Sequence, residues 1–454
     1  MMNITVINGS PKGEYSITLQ TLKHLEIKYS DHNFSYLNAG RLIGKYERDF
    51  TEARDMLTAA DILVFSYPVY TFLAPSQLHR FIELIKASDI DLSGKIATSV
   101  TTSKHFYDVT AHKYVEENCH DLGINYIRGL SADMEDLLCE KGRAEAEKFF
   151  DFLLWSVEHR AFTAPKPSTK AYIPNLPDVP SPVEREKPGN VVIITDVKDE
   201  SSSLSKMIAR FRASLNHASR VVNISELRID GGCLGCFNCA VSAKCVYKDG
   251  FDEFLRTNIQ ASDAIVYAFT ISDHSMGSRF KRYDDRNFCN GHRTVTVGTP
   301  VAYLISGPYS EEDNLRTVIE ARCDTGGNFL AGVATDEGDT NVSVDTVAAT
   351  LDFALDTGHT APQSFYGVGG MKIFRDLIYE MRGMMRADHK FYKSHGQYDF
   401  PQKHKLKSMK MYLVGALLSS DKIRKKLGNK MNEGMLMPYK KLFSKLEKEN
   451  NKKS

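Results

Sequence analysis

The stretch Ile4-Thr5-Val6-Ile7-Asn8-Gly9-Ser10-Pro11-Lys12-Gly13-Glu14-Tyr15-Ser16-Ile17-Thr18 decides the fold. Its β-branched run, residues 4–7, breaks at Asn8-Gly9-Ser10-Pro11 and leads into helical spacing at Leu19, Leu22 and Leu25, which reads as strand, polar loop, helix. Asp61-Ile62-Leu63-Val64-Phe65 repeats the pattern, ending at Ser66-Tyr67-Pro68-Val69-Tyr70 before a helical stretch over 77–85. Further strands are predicted at 96–100, ending at Thr101-Thr102-Ser103, and at 125–130, with a closing amphipathic helix over 137–159. Strands alternating with helices imply a parallel sheet covered on both faces, and in such sheets ligands sit beyond the carboxyl ends of the strands.

The order then restarts. A proline-rich stretch between Pro165 and Pro188 reads as an extended spacer, after which Asn190-Val191-Val192-Ile193-Ile194 repeats the opening strand. Ala261-Ser262-Asp263-Ala264-Ile265-Val266-Tyr267 likewise repeats Ala59-Ala60-Asp61-Ile62-Leu63-Val64-Phe65. Later strands are expected at 301–306 and 329–335. The second copy is longer between its first strand and this repeat, and the span Cys233 to Cys245 lies in that interval. The expected division is a first α/β domain over 1–162, a linker over 163–189, a second α/β domain over 190–360 and a helical, basic extension over 361–454.

A chain of 454 residues exceeds what one hydrophobic core supports, and its hydrophobic content of 42% and charged content of 25% are those of a globular protein. The N-terminus lacks a basic start and apolar run, and no stretch approaches the ~20 apolar residues of a spanning helix. A cytoplasmic location is therefore expected, where cysteines stay reduced and a tight cysteine cluster points to a metal or cluster site rather than to disulfides. The formal net charge is only +1, yet residues 403–454 carry fifteen Lys/Arg against four Asp/Glu. That tail, with basic clusters at Lys422 to Lys426 and Lys440 to Lys453, reads as a solvated helical extension. Alternatively it is a docking surface for an acidic protein such as ferredoxin or flavodoxin, or is attracted to anionic lipid. No nucleic-acid-binding signature accompanies it.

The first loop, between strand and helix, is suited to a phosphate, because exposed N–H groups and the positive end of a helix dipole converge there. Ser10, Ser16 and Thr18 add hydroxyl donors, and Lys12 adds charge. A plain Gly/Pro turn with a Ser cap is the alternative. The second loop continues Pro68-Val69-Tyr70-Thr71-Phe72-Leu73-Ala74-Pro75-Ser76-Gln77-Leu78-His79-Arg80-Phe81-Ile82. With Gly9-Ser10-Pro11, its Pro-Val-Tyr turn and Pro-x-Gln-Leu helix start resemble the flavodoxin-like NAD(P)H-dependent FMN reductase superfamily. The resemblance implies two tandem flavodoxin-like, doubly wound parallel sheets, with flavin mononucleotide (FMN) in the first. It also implies that Ser10, Lys12, Ser16 and Thr18 hold the FMN phosphate. Pro68, Val69, Tyr70, Thr71 and Phe72 would pack on the isoalloxazine, and Thr101, Thr102 and Ser103 would form a third wall. Tyr70 and Phe72 could equally be core residues.

The sharpest chemical signal is Cys233-x2-Cys236-x2-Cys239-x5-Cys245, four thiols in a spacing that holds iron-sulfur clusters. It resembles the compact motif of iron-sulfur flavoproteins, which implies that these four cysteines ligate a [4Fe-4S] cluster near FMN. A zinc site, a redox dithiol and cysteines without any metal are the alternatives. Cys119, Cys139, Cys289 and Cys323 are scattered and are read as packing residues. In the second domain the first loop is Thr195-Asp196-Val197-Lys198-Asp199-Glu200-Ser201-Ser202-Ser203, without Gly-Ser-Pro, and the later loop lacks Pro-Val-Tyr. That copy reads as flavin-free, its cysteines serving a neighbouring FMN.

No catalytic triad, carboxylate pair or metal-spaced histidine set stands out, as expected where a flavin carries the redox chemistry. The expected activity is an FMN-dependent oxidoreductase drawing on NAD(P)H or a ferredoxin- or flavodoxin-type carrier and reducing a small organic acceptor. The alternatives are a cluster-free NAD(P)H:quinone or FMN reductase, and a non-catalytic electron carrier. The resemblance also implies a homo-oligomer.

Overall fold

The computed structural model describes residues 1–165, 171–180, 187–420, 422 and 430–451. Most of the Lys422 to Lys426 cluster, Lys452 and Lys453, and parts of the linker lie outside these residues. The chain divides into two compact units, Met1–Ser394 and His395–Ser454. The smaller unit contains helices Lys405–Leu418 and Lys430–Asn450, with Tyr412 and Leu417 exposed. No helix among the described residues is long and apolar enough to cross a membrane.

The larger unit contains two parallel sheets. The first is built from β1 (Asn3–Asn8), β2 (Asn33–Leu37), β3 (Ile62–Pro68), β4 (Ile96–Thr102), β5 (Asn125–Tyr126) and β6 (Leu130–Ala132), in the order β2-β1-β3-β4-β5, with β6 also on β4. The second comprises β7 (Val191–Thr195), β8 (Ser219–Asn223), β9 (Ala264–Thr270), β10 (Val301–Ser306) and β11 (Leu330–Thr335), in the order β8-β7-β9-β10-β11. Both are the doubly wound 2-1-3-4-5 order of flavodoxin. The interior strands are apolar runs because helices cover both faces; Ile4, Val6 and Ile7 are fully buried, as are Val191 through Ile194. Helix Ile17–Lys28 buries Leu19, Leu22 and Leu25 on its sheet-facing side, each contributing roughly 1.5–3 kcal/mol. The repeat extends to single bonds, since Asn3 N donates to Asp61 Oδ2 at 2.7 Å and Asn190 N to Asp263 Oδ2 at 2.8 Å.

The last strand of the first sheet is divided rather than continuous over 125–130. Both pieces pair with β4, but a side chain at Gly129 would stand 2.2 Å from the Ser99 carbonyl oxygen. The chain passes too close to β4 there to keep a regular ladder.

The two sheets meet through helices Ser76–Ala87 and Gly277–Arg286, related by an approximate internal two-fold. Asp285 Oδ2 accepts from Ser76 N at 2.7 Å, and Glu83 Oε1 accepts from Ser278 N at 2.7 Å. Each helix thus places a carboxylate on the other's positive N-terminus, the reciprocal contact a symmetric dimer makes. The turns preceding these helices match as well. Tyr70 and Leu73 exchange backbone bonds of 2.8 and 3.0 Å, as do Ser272 and Ser275, and both turns hold non-glycine residues at positive φ, Thr71 and Phe72 in one, Asp273 and His274 in the other.

His274 ties the halves together. Its Nδ1 lies 2.9 Å from Glu312 and its Nε2 3.1 Å from Asp121. Burial opposes its charge, yet the two carboxylates outweigh that and raise its pKa to about 10. Burial likewise lifts Glu117, which faces the same cluster, to about 7. Both shifts have the same sign. The His274 contribution is complete below its unfolded value of ~6.5 and is lost as pH rises through the folded value, and ionisation of Glu117 adds to the loss up to about pH 7. Denaturation midpoints should therefore fall between neutral pH and about pH 10, and His274→Gln should flatten the upper part of that dependence. A midpoint independent of pH in wild-type protein would contradict the assignment.

Candidate functional site

The carboxyl ends of β1, β3 and β4 open on one cavity. Ten residues expected at a flavin line it: Ser10, Lys12, Ser16, Thr18, Pro68, Val69, Tyr70, Thr71, Thr102 and Ser103. Cys233, Cys236, Cys239 and Cys245 of the second domain line it too. The structure therefore brings the two sequence signals to one place.

The loop after β1 is held by Asn8, which is fully buried. Its Nδ2 donates to Gly13 O at 2.9 Å and its Oδ1 accepts from Ser10 N at 3.2 Å. Gly13 sits at φ +58°, and a side chain there would strike Arg41 at 2.6 Å, so only glycine suits the turn. The following helix starts at Ile17 with no side-chain cap, and Ser10, Ser16 and Thr18 are nearly inaccessible. An uncapped helix N-terminus ringed by buried hydroxyls fits a phosphate.

Tyr70 and Thr71 are fixed from behind by the second domain. Lys281 is fully buried, and its Nζ lies 3.0 Å from Tyr70 O and 2.6 Å from Thr71 Oγ1. It also pairs with Asp285 and, at 3.4 Å, with Asp284, which in turn pairs with Arg322. Burial holds the Tyr70 phenol well above its ordinary pKa, so it stays protonated. The remaining polar wall is unsatisfied, for Thr102 Oγ1 and Ser103 Oγ are buried with no hydrogen-bond partner. Buried hydroxyls without partners are uncommon, and the polar edge of a flavin would supply partners here.

Two residues expected at the flavin lie elsewhere. Phe72 lines an adjoining cavity, its ring 4.3 Å from Tyr107 and 5.0 Å from Phe106. Thr101 is fully buried, with Oγ1 3.1 Å from His112 Nε2. Alternation explains Thr101, since successive residues of β4 point to opposite faces and Thr102 takes the outward place.

The second domain's equivalent loops use most of their polar groups internally, although Ser203 Oγ is buried without a hydrogen-bond partner. Ser202 Oγ caps helix Ser203–Ser214 by accepting from Ser205 N at 3.2 Å. After β10, Asp336 accepts from Ser306 Oγ at 2.6 Å and from Gly307 N at 3.0 Å. The linker lies against this point, with Asn175 N donating to Asp336 O at 2.8 Å. The helix N-terminus left uncapped in the first domain is capped by Ser202 in the second.

The cysteine segment follows β8 and crosses onto the first domain. Gly235, at φ +61°, passes so close that a side chain would overlap Tyr70 Oη and meet Lys12 Cε at 3.2 Å. Lys12 Nζ lies 5.6 Å from the centre of the Phe237 ring. Around one tetrahedral ion with Zn–S bonds of ~2.3 Å, sulfurs stand about 3.8 Å apart. Among the described residues, the one group of metal-ligating atoms that all lie within 4.8 Å of each other is Glu117, His274 and Glu312; no three thiols form such a group. Arg286, paired with Asp249 at 2.7 and 2.9 Å, lines the same cavity and keeps a buried Nε without a hydrogen-bond partner. Burial raises the Cys239 thiol to about 11, so metal binding there releases a proton.

Residues the sequence reading passed over complete the cavity. Cys289 lines it and is 3% exposed. Helix Phe365–Glu380, within the segment expected to be an extension, contributes Ile373, Phe374 and Leu377. Phe374 stacks on Phe106 with centroids 4.3 Å apart, closing an apolar wall. The glycine-punctuated helical pattern of residues 365–377 was the available signal.

Residues 2–124 match the family model described as NADPH-dependent FMN reductase. That stretch is similar to the NADPH-dependent FMN reductase family. The match ends within the first sheet, so the second domain and the cysteine segment lie outside the part of the chain that the FMN reductase model describes. Among solved structures, an NADH:FMN oxidoreductase is 20% identical, with 34% of this chain and 90% of that one covered and a TM-score of 0.30. An FMN-dependent NADH-azoreductase from Bacillus anthracis, in complex with FMN, is 17% identical over 34% of this chain and 99% of its own, TM-score 0.27. An NAD(P)H:quinone oxidoreductase from Methanothermobacter marburgensis is 14% identical over 35% and 96%, TM-score 0.27. No curated protein matches the chain.

Proposed function

We propose that this protein is an FMN-dependent oxidoreductase that takes electrons from NAD(P)H or a small electron carrier and delivers them to an organic acceptor, with a [4Fe-4S] cluster beside the flavin. The observation that carries the reading is the single cavity lined by the phosphate loop, the strained turn of the first domain and four cysteines of the second. The family of the first domain supports NAD(P)H as donor.

Each wall has its own task. The N-terminus of helix Ile17–Lys28, with Ser10, Ser16 and Thr18, binds the FMN phosphate while Lys12 offsets its charge. Tyr70 and Thr71, locked by Lys281, orient the ring system, and Thr102 and Ser103 donate to its polar edge. Phe106 and Phe374 keep water from the reacting face. Cys233, Cys236, Cys239 and Cys245 offer thiolates to the cluster, and Arg286 donates toward it. When bound, FMN supplies exchange between two-electron donors and one-electron carriers.

Anaerobic purification of the full chain, followed by a visible spectrum and iron, sulfide and zinc analysis, tests this reading. Flavin together with iron and sulfide is expected. Flavin without iron would leave a cluster-free NAD(P)H:quinone or FMN reductase, and zinc in the cysteine site would reject the cluster. Stopped-flow mixing with NADPH or NADH should bleach the flavin directly. Bleaching only by a reduced protein partner would identify a non-catalytic carrier.

A further inference from the structure

A second cavity, of about 210 Å³, adjoins the first, and Thr71, Phe106, Phe288, Gly291, His292 and Phe374 line both. We propose that it is a binding site for a planar aromatic carboxylate, held by Arg322 and Tyr283. The inference stands apart from the flavin and cluster readings, because these two residues line the second cavity and not the first.

The cavity lies on the second sheet. Ile265 and Tyr267 of β9 stand in register with Val301 and Tyr303 of β10, and all four line it. Alternate residues of a strand share one face, so these side chains form a floor, with the two tyrosine rings 5.2 Å apart. From helix Gly277–Arg286 to β10 the chain runs over residues 287–300, whereas the first domain joins the matching elements over 88–95. This longer connection supplies most of residues 287–296 to the lining. Phe72, Phe106 and Phe374 add an apolar side, Phe106 lying 5.0 Å from Phe72 and 4.3 Å from Phe374. A ring-lined space smaller than a drug-sized cleft suits a flat molecule of one or two fused rings.

The charged lining is of one sign. Among the described residues no Asp or Glu lines the cavity, whereas His292, Arg293 and Arg322 do. His292 and Arg293 are turned to Asp388, at 3.0 and 3.1 Å. Arg322, near the end of helix Asp313–Gly326, has Asp284 as its one ion-pair partner among the described residues, and its side chain remains 17% exposed. Asp284 is itself buried and off the lining, so a ligand meets the guanidinium and not the carboxylate. The charge of Arg322 acts on Tyr267, Tyr283 and Tyr303, and burial keeps all three phenols protonated, lifting Tyr267 to about 12. Tyr283 is almost wholly buried, and its Oη and the buried Oδ1 of Asn287 face each other without completing a hydrogen bond. Buried polar atoms left in this way are uncommon. A carboxylate accepting from Tyr283 Oη and from the planar fork of Arg322 would satisfy both donors, while the aromatic walls take the body of the ligand.

The test is calorimetric titration of full-length protein with 2-naphthoate at fixed ionic strength, with FMN in excess so that the first cavity is not the site being read. Binding at one site is expected, and 2-naphthamide, an uncharged analogue of the same shape, should bind at least ~10-fold more weakly. Tyr283→Phe removes a hydroxyl that completes no hydrogen bond in the protein. Its circular dichroism and Tm are therefore expected to match wild type, while 2-naphthoate binding weakens by roughly 10-fold. Arg322→Lys keeps a charge beside Asp284 but loses the fork, and is expected to weaken binding by about 10-fold or more. No uptake of 2-naphthoate by wild-type protein, an amide bound as tightly as the acid, or an unchanged affinity in Tyr283→Phe would each overturn the inference. A wild-type protein that fails to retain FMN but binds 2-naphthoate through Tyr283 would reject the oxidoreductase reading and uphold this site.

Discussion

Replacing Lys281 by methionine is expected to lower folding stability by about 3–5 kcal/mol, the cost of removing one member of a buried ion pair. Lys281 is fully buried in a group with Asp284, Asp285 and Arg322, two cations against two carboxylates. Burial pushes the Asp285 carboxyl up, against the pull of Lys281. With Lys281 gone, Arg322 still pairs with Asp284, but Asp285 keeps only the Ser76 N–H that it caps and a 3.2 Å contact to Thr71 Oγ1. A methionine of similar length fills the space without replacing those bonds. Urea denaturation at neutral pH measures the loss, and a change below about 1 kcal/mol, the scale of an exposed pair, would refute it. Lys281→Met with Asp285→Asn should recover part of the loss by removing the stranded charge. Because Lys281 also anchors Tyr70 and Thr71, the single variant should bind FMN more weakly at temperatures where it remains folded.

The double variant Ser16→Ala with Thr18→Ala is expected to weaken FMN binding by at least ~10²-fold. A hydrogen bond to a charged group contributes ~1.5–3 kcal/mol, and ~2.7 kcal/mol corresponds to a hundredfold. Both hydroxyls are buried beside a helix N-terminus with no cap of its own, so the lost bonds cannot pass to another side chain. Quenching of free-flavin fluorescence on titration with flavin-free protein reads the affinity at fixed ionic strength. The corresponding change in the second domain, Ser201→Ala with Ser202→Ala, should leave FMN affinity unchanged, because both hydroxyls are taken up within that loop, Ser201 Oγ donating to Asp199 Oδ1 at 2.7 Å and Ser202 Oγ to Asp199 O at 2.7 Å. Equal effects of the two double variants would place the phosphate elsewhere.

The two sheets were legible because parallel strands buried on both faces must be written as continuous apolar runs. Ile4 to Ile7 and Val191 to Ile194 carry that mark, and Asp61 and Asp263 stand at matching places because each accepts from the first residue of its own repeat. Most of the loop residues singled out in the sequence line one cavity, since a loop at the end of such a strand has one side on which a ligand can sit. The exceptions have local causes. Phe72 leaves the cavity because the turn carries Thr71 and Phe72 at positive φ, a conformation that β-branched and bulky side chains rarely mark in a sequence. Thr101 fell on the inner side of β4.

From its sequence alone, this protein was determined to be a repeated α/β chain with a Gly-Ser-Pro loop after the first strand of the first copy and a cysteine segment in the second. Strand, turn and helix patterns are local, and they survive without knowledge of neighbours. Only the tertiary structure decided that the cysteines lie on the first domain's flavin loops, that Lys281 braces the Tyr70 turn from the other domain, and that Cys289 and Phe374 share the cavity. Those contacts join residues far apart in the chain, and what selects them is the reciprocal capping of two helices across an internal two-fold, a relation between surfaces that no single stretch of sequence contains.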